Sequence, residues 1–146
     1  MAIKKRRSFR SKKANWKHYY EVEARLKEVV NDVNYSVSAV IVEGKRDEEA
    51  LRSAGLRSTV VQFSSSGLPV FAFIEEVVEG YSGSTVLVLL DFDREGDELA
   101  ERLSQELEEG GVRVQRILRR EIAKILIREG IFRIEEISML RKRASV

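Results

Sequence analysis

Apolar and polar residues change period along this chain in a regular way. Ala39-Val40-Ile41-Val42, Thr59-Val60-Val61-Gln62-Phe63 and Val86-Leu87-Val88-Leu89-Leu90 are short apolar, β-branched runs bounded by glycine or by charge. Runs of this kind predict strands buried on both faces, as in the middle of a parallel sheet. Val112-Arg113-Val114-Gln115 alternates instead, which predicts a half-exposed edge strand. Between these runs the period becomes helical. Ala50, Leu51 and Ala54 close at Gly55; Phe71, Ile74, Val77 and Val78 end at Gly80 and Gly83; Leu99, Ala100, Leu103 and Leu107 stop at Gly110-Gly111. The resulting β-α-β-α-β-α-β series predicts an α/β fold of about four mainly parallel strands flanked by helices.

This unit spans 38–118. Ahead of it, Trp16, Tyr19, Tyr20, Glu23, Leu26, Val30 and Val33 fall at helical spacing, so 15–37 reads as an N-terminal helix and linker. Behind it, 119–146 reads as a helical extension: a helix through Ile122, Ile125 and Leu126, a break at Gly130, and a shorter helix near Ile134 to Leu140. No chemistry is legible in that extension. The lone His18, beside two tyrosines, reads as a packing or surface residue rather than a metal ligand.

At 146 residues the chain is long enough for one domain with a real core. It has no cysteine, which removes disulfides and thiolate metal sites. No stretch reaches the roughly 20 apolar residues of a membrane span, and no secretion signal is visible, so a cytoplasmic chain without membrane contact is expected. A high charged fraction with few methionines hints at a thermophile. The formal charge of +2 conceals a division. Residues 1–20 carry eight basic groups (Lys4, Lys5, Arg6, Arg7, Arg10, Lys12, Lys13, Lys17) and no acid, and 141–146 carry three more. What remains is a body of net −9, with 15 basic and 24 acidic residues. A basic arm on an acidic body is the pattern of a segment that binds phosphate backbones. By composition, 1–14 is expected to lack secondary structure without its partner.

The chemistry gathers after the third strand. Asp91, Asp93, Glu95 and Asp97 crowd into seven residues, and carboxylates that close repel unless a cation sits among them. The plain alternative is an acidic first helical turn favoured by the helix dipole. In a parallel sheet, ligands bind beyond the carboxyl ends of the strands, where this turn would meet Glu43 to Asp47 and Ser64 to Gly67. The last, with Ser66 and Gly67, offers backbone N–H groups to an anion at the start of a helix. Three familiar patterns are excluded. Gly44-Lys45 is not a P-loop, since position 39 is Ala and Arg46 replaces Ser/Thr. The acidic run is not an EF-hand, since its twelfth position is Arg102 and it follows a strand. Nor is it a haloacid-dehalogenase motif, which ends the first strand and continues with Thr or Val, where this chain has Arg94.

Val42-Glu43-Gly44-Lys45-x-Asp47 and Leu90-Asp91-x-Asp93-Arg94-Glu95-Gly96, taken together and in this order, resemble the Toprim domain of topoisomerases, bacterial-type primases and a ribosomal-RNA maturase. By size the chain is similar to the small archaeal stand-alone Toprim proteins. The resemblance covers about 38–118 and implies a Toprim-type, Rossmann-like fold. It implies a Mg²⁺ site (Mn²⁺ as a substitute) formed by Glu43, Asp91 and Asp93, with Glu95 at a further acidic position. Such a site suits a hard cation that keeps much of its water, with Glu43 transferring a proton. Lys45 and Arg94 are then placed for phosphate; their alternative is salt bridging to Glu48 or Asp97. Tyr19, Tyr20, Tyr35 and Tyr81 lie in no topoisomerase context, and a primase's zinc module has no ligands here. The expectation is metal-dependent phosphodiester chemistry on RNA or DNA. The alternative is a non-catalytic nucleic-acid-binding adaptor within a larger processing assembly.

Overall fold

The computed structural model describes residues 2–144, with side chains for 15–144. Four strands, β1 (Ala39–Val42), β2 (Thr59–Gln62), β3 (Thr85–Val88) and β4 (Arg113–Val114), form one wholly parallel sheet in the order β2-β1-β3-β4. Helices α2 (Lys45–Ser53), α3 (Val70–Tyr81) and α4 (Arg94–Glu109) connect them, and α1 (Ala2–Ser36), α5 (Arg116–Arg128) and α6 (Ser138–Ala144) flank them. The uninterrupted apolar runs are explained by the layers. Val40, Val42, Leu87 and Leu89 face a core completed by α1, α2, α5 and α6, while Ala39, Ile41, Val86, Val88 and Leu90 face one completed by α3 and α4. Both central strands are therefore buried on both sides, as α/β layering requires. Leu87 is fully enclosed. Leu87→Ala is expected to cost about 2–5 kcal/mol, read as a lower urea midpoint at unchanged slope.

The order 2-1-3-4 puts the reversal of winding between β1 and β3. That is the topological switch point, where the two chain exits leave a crevice. Glu43 and Asp91 follow the two strands that border it.

Three elements differ from expectation. The basic N-terminal segment is helical: α1 runs from Ala2, where a helix from 15 and an unstructured arm were expected. No glycine or proline interrupts the first 43 residues, and Ala, Lys and Arg are strong helix formers. The turn after β2 is a 3-10 turn, Ser64–Ser66, and α3 begins only after Pro69, which serves as its N-cap. The C-terminal extension has a 3-10 turn, Ile134–Ile137, before α6. Among the described residues no helix is long and apolar enough to cross a membrane.

Candidate functional site

Glu43 is exposed directly beyond β1. Its carbonyl accepts from the Ser64 N–H at 2.8 Å and from Ser64 Oγ at 2.5 Å, which pins the first turn to the second. At the start of α2, Asp47 Oδ2 accepts from the Gly44 N–H at 3.2 Å, satisfying one of the donors a helix start leaves open. Asp47 is only 7% exposed. Burial, and then the Asp91 charge, push its carboxyl up from 3.8 to about 6, against the pull of the Gly44 N–H.

Beyond β3, Asp91 Oδ1 accepts from the Ile134 N–H at 2.8 Å. Burial raises its pKa; the Ile134 bond and Arg133 lower it, while Asp93 and Glu135 add to the rise. Asp93 is the N-cap of α4, its Oδ1 accepting from Gly96 N–H at 2.7 Å. Gly96 has no substitute: a Cβ there would run into the Asp91 carbonyl. Phe92 is buried between these acids, its N–H donating to the Phe132 carbonyl at 2.7 Å. The Arg119 guanidinium lies over the Phe92 ring and donates to Asp97 at 2.9 Å.

The acids that follow β1 and β3 open onto one cleft of about 370 Å³. Six carboxylates line it (Glu43, Asp47, Asp91, Asp93, Glu95 and Glu135), and a single cation, Arg133, faces them. The predicted acids Glu43, Asp91, Asp93 and Glu95 thus share a cleft, but they do not share a point. Among the described residues no three stand close enough to ligate one ion. The hydrogen bonds explain the spread, since Asp91 and Asp93 each turn one oxygen to a backbone N–H. Their other oxygens, with Glu43, are donors of the hard kind that Mg²⁺ takes, set apart from one another in this arrangement.

The other expected residues fare differently. Lys45 is exposed and stands 4.0 Å from Glu49, and Arg94 is exposed and bonds Glu98 at 3.1 Å, rather than the partners foreseen. The expected anion cradle at Ser66-Gly67 is not at a helix start. Ser64 N–H donates to Glu43, Ser66 N–H to Phe63, and Leu68 N–H to Ser66 Oγ, so the turn spends these amides on itself and on the first loop. The side chains of Lys4, Lys5, Arg6 and Arg7 lie outside the described ones. Three residues carried no functional sign in the sequence: Arg133 and Glu135 reach the cleft from the C-terminal extension, and Arg119 of α5 braces the turn behind it through the Asp91 carbonyl and Asp97. Asp47 stood inside the first motif without a role.

The family model of the Toprim domain matches residues 38–118. The chain belongs to the Toprim family. Its Toprim unit holds all four strands and both turns that bring Glu43 and Asp91 to the cleft, whereas Arg133 and Glu135 come from beyond it. A UPF0292 protein of Pyrococcus horikoshii is 34% identical over 128 residues, 88% of this chain and 92% of that protein. Another, of Thermococcus onnurineus, is 37% identical over 73% of this chain and 77% of its own length. A solved structure of a protein from Aquifex aeolicus superposes with a TM-score of 0.59 at 25% identity, covering 75% of this chain and 94% of that one.

Asp47 supplies a test of the cleft's electrostatics. Its folded-state pKa lies above the ordinary value, so between about pH 4 and 6 the native state holds the extra proton, and stability falls as pH rises through that window. Asp47→Asn keeps an acceptor for the Gly44 N–H and removes the charge. It is expected to flatten this fall and to raise stability at pH 7 by about 1–3 kcal/mol, measured by urea unfolding at both ends of the window.

Proposed function

We propose that this Toprim protein carries out Mg²⁺-dependent phosphodiester chemistry on nucleic acid, as an RNA or DNA nuclease or processing enzyme, with Mn²⁺ able to replace Mg²⁺. One observation carries the reading: six carboxylates from separate elements face one cleft at the switch point of a parallel sheet, with Arg133 as the single cation among them. Such a cluster repels a polyanion, and burial first, then neighbouring carboxylates, hold the Asp47 and Asp91 carboxyls above their ordinary values; a divalent cation offsets that repulsion. Asp91, Asp93 and Glu43 would hold the metal, with Glu95 beside them. When bound, it supplies Lewis-acid polarisation of a phosphoryl oxygen and charge neutralisation.

The chain's own groups do the rest. Asp93 fixes the start of α4 and thereby the position of Glu95. Glu43, exposed at the mouth, exchanges a proton with the attacking or leaving oxygen. Arg133, Lys45 and Arg94 attract the phosphates next to the scissile one. The basic residues Lys4 to Arg7 hold more distant backbone. The test is a cleavage screen with Mg²⁺ and Mn²⁺ over structured RNA, single strands and duplex DNA at mesophilic and high temperature, with Asp91→Asn as control. Metal-dependent turnover lost in the control supports the reading. Equal trace cleavage in both proteins overturns it and leaves the nucleic-acid-binding adaptor in its place.

A further inference from the structure

On a body whose charges are mostly acidic, several cations are matched by carboxylates. Arg116 bonds Glu101 and Glu108, Arg119 bonds Asp97, Arg52 bonds Glu48 and Arg102 bonds Glu106. Cations without such partners gather in one groove. Between α1 and α5 lies a groove of about 650 Å³ lined by Arg25, Arg120, Ala123, Lys124, Ile127 and Arg128. Four of its six lining residues are cations and none is an acid. All four cations are exposed, and no ion pair among the described residues involves them.

We propose that this groove binds the sugar-phosphate backbone of a nucleic acid. The inference rests on nucleic acid being the partner, as proposed above, and adds a surface that holds it away from the acidic cleft. Four unpaired cations around one groove repel each other, and a polyanion relieves that repulsion while releasing its own counterions. Arg120, Lys124 and Arg128 recur every four residues along α5, about 6 Å apart in rise. That is close to the axial advance of two nucleotides on one strand, about 7 Å. The floor, Ala123 and the 43% exposed Ile127, is apolar. It carries no amide or hydroxyl side chain to read base edges, so contact here positions the strand without choosing its sequence.

The groove is also connected. Arg120 lines, with Arg119 and Arg116, a second, smaller cleft at the first turns of α5, and Arg119 reaches the Asp91 carbonyl at 3.4 Å. A strand lying along α5 is thereby led towards the acidic centre. At its other wall, Arg25 belongs to α1, the helix that carries the basic N-terminal segment.

The test is fluorescence anisotropy of the full chain with a labelled single-stranded RNA and a labelled DNA duplex, in EDTA over a salt series. The triple variant Arg120→Glu, Lys124→Glu, Arg128→Glu is compared with wild type and with the charge-keeping pair Arg120→Lys, Arg128→Lys. Expected are a loss of affinity of about 10- to 100-fold and a salt slope lowered by about 2 to 3 in the triple variant, with neither in the charge-keeping pair. If circular dichroism shows the triple variant unfolded, the single exposed change Lys124→Glu takes its place, with a slope lowered by about 1. Wild-type affinity and slope in the charge-reversed protein overturn the groove and leave the catalytic reading standing. A groove variant that keeps nucleic acid but loses binding to phosphatidylserine vesicles or to an acidic peptide also overturns it. Loss of binding in the groove variant without metal-dependent cleavage in any protein upholds the groove and removes the enzyme. No binding by wild type removes both.

Discussion

Asp91→Asn and Asp93→Asn are each expected to abolish metal-dependent cleavage by several orders of magnitude while leaving the fold intact. The argument depends on what asparagine keeps. At position 91 it still accepts from the Ile134 N–H, and at position 93 it caps α4 as well as aspartate does. What each variant loses is one negative charge and one hard oxygen donor facing the cleft. Glu43 has no comparable structural duty in its side chain, because its carbonyl makes the contacts to Ser64. Glu43→Gln is therefore expected to bind substrate normally and to lose about 10²- to 10⁴-fold in rate if it moves the proton. Single-turnover rates with parallel binding isotherms separate the two behaviours. Rates within a factor of two of wild type for all three variants would remove the cleft from the chemistry.

Deleting residues 1–13 is expected to have the largest effect on binding. The deletion removes seven basic residues and takes the net charge from +2 to −5. Among the residues whose side chains are described, the helix that remains contains every buried position of α1, the first being Val22. If those seven groups contact phosphate, the salt slope should fall by about 6. The steep loss of affinity between low and moderate salt, on the order of 10³-fold for the intact chain, should then largely vanish. Preference among sequences should not move, since backbone contacts carry no base information. Anisotropy titrations in a sodium chloride series measure both quantities, and an unchanged slope would make the segment irrelevant to nucleic acid.

The sequence was most informative where a local rule and the tertiary environment agree. Five apolar residues ending in Asp91 name a central strand, because only a strand covered on both faces tolerates five. The switch-point crevice follows from the strand order, and two motifs at two strand ends then point to one place. The rule failed where two local signals compete. The charge of 1–14 argued against structure, but its alanine, lysine and arginine content favours helix, and no breaker intervenes. At Ser64–Gly67 the serines suggested a helix start, whereas Pro69, with its fixed φ, sets the start further on. The C-terminal contribution to the cleft had no local signal at all. Arg133 and Glu135 look like ordinary surface charges until the packing of Ile134, fully buried, carries them to Asp91.

The hydrogen bond from Ile134 to Asp91 has a thermodynamic consequence. Whatever claims Asp91 Oδ1, a proton or a cation, competes with the backbone of the C-terminal extension for the same lone pairs. The two equilibria are coupled, and coupling of this kind is reciprocal: loosening the segment around Ile134 makes Asp91 more available, and engaging Asp91 lowers the cost of lifting that segment. Since the neighbouring Phe92 N–H also holds the Phe132 carbonyl, the segment cannot peel away one residue at a time without exposing two backbone donors or acceptors. Occupancy of Asp91 Oδ1 is thus transmitted to the C-terminal extension as a shift in local opening, and amide exchange at Ile134 becomes a gauge of what that oxygen is holding.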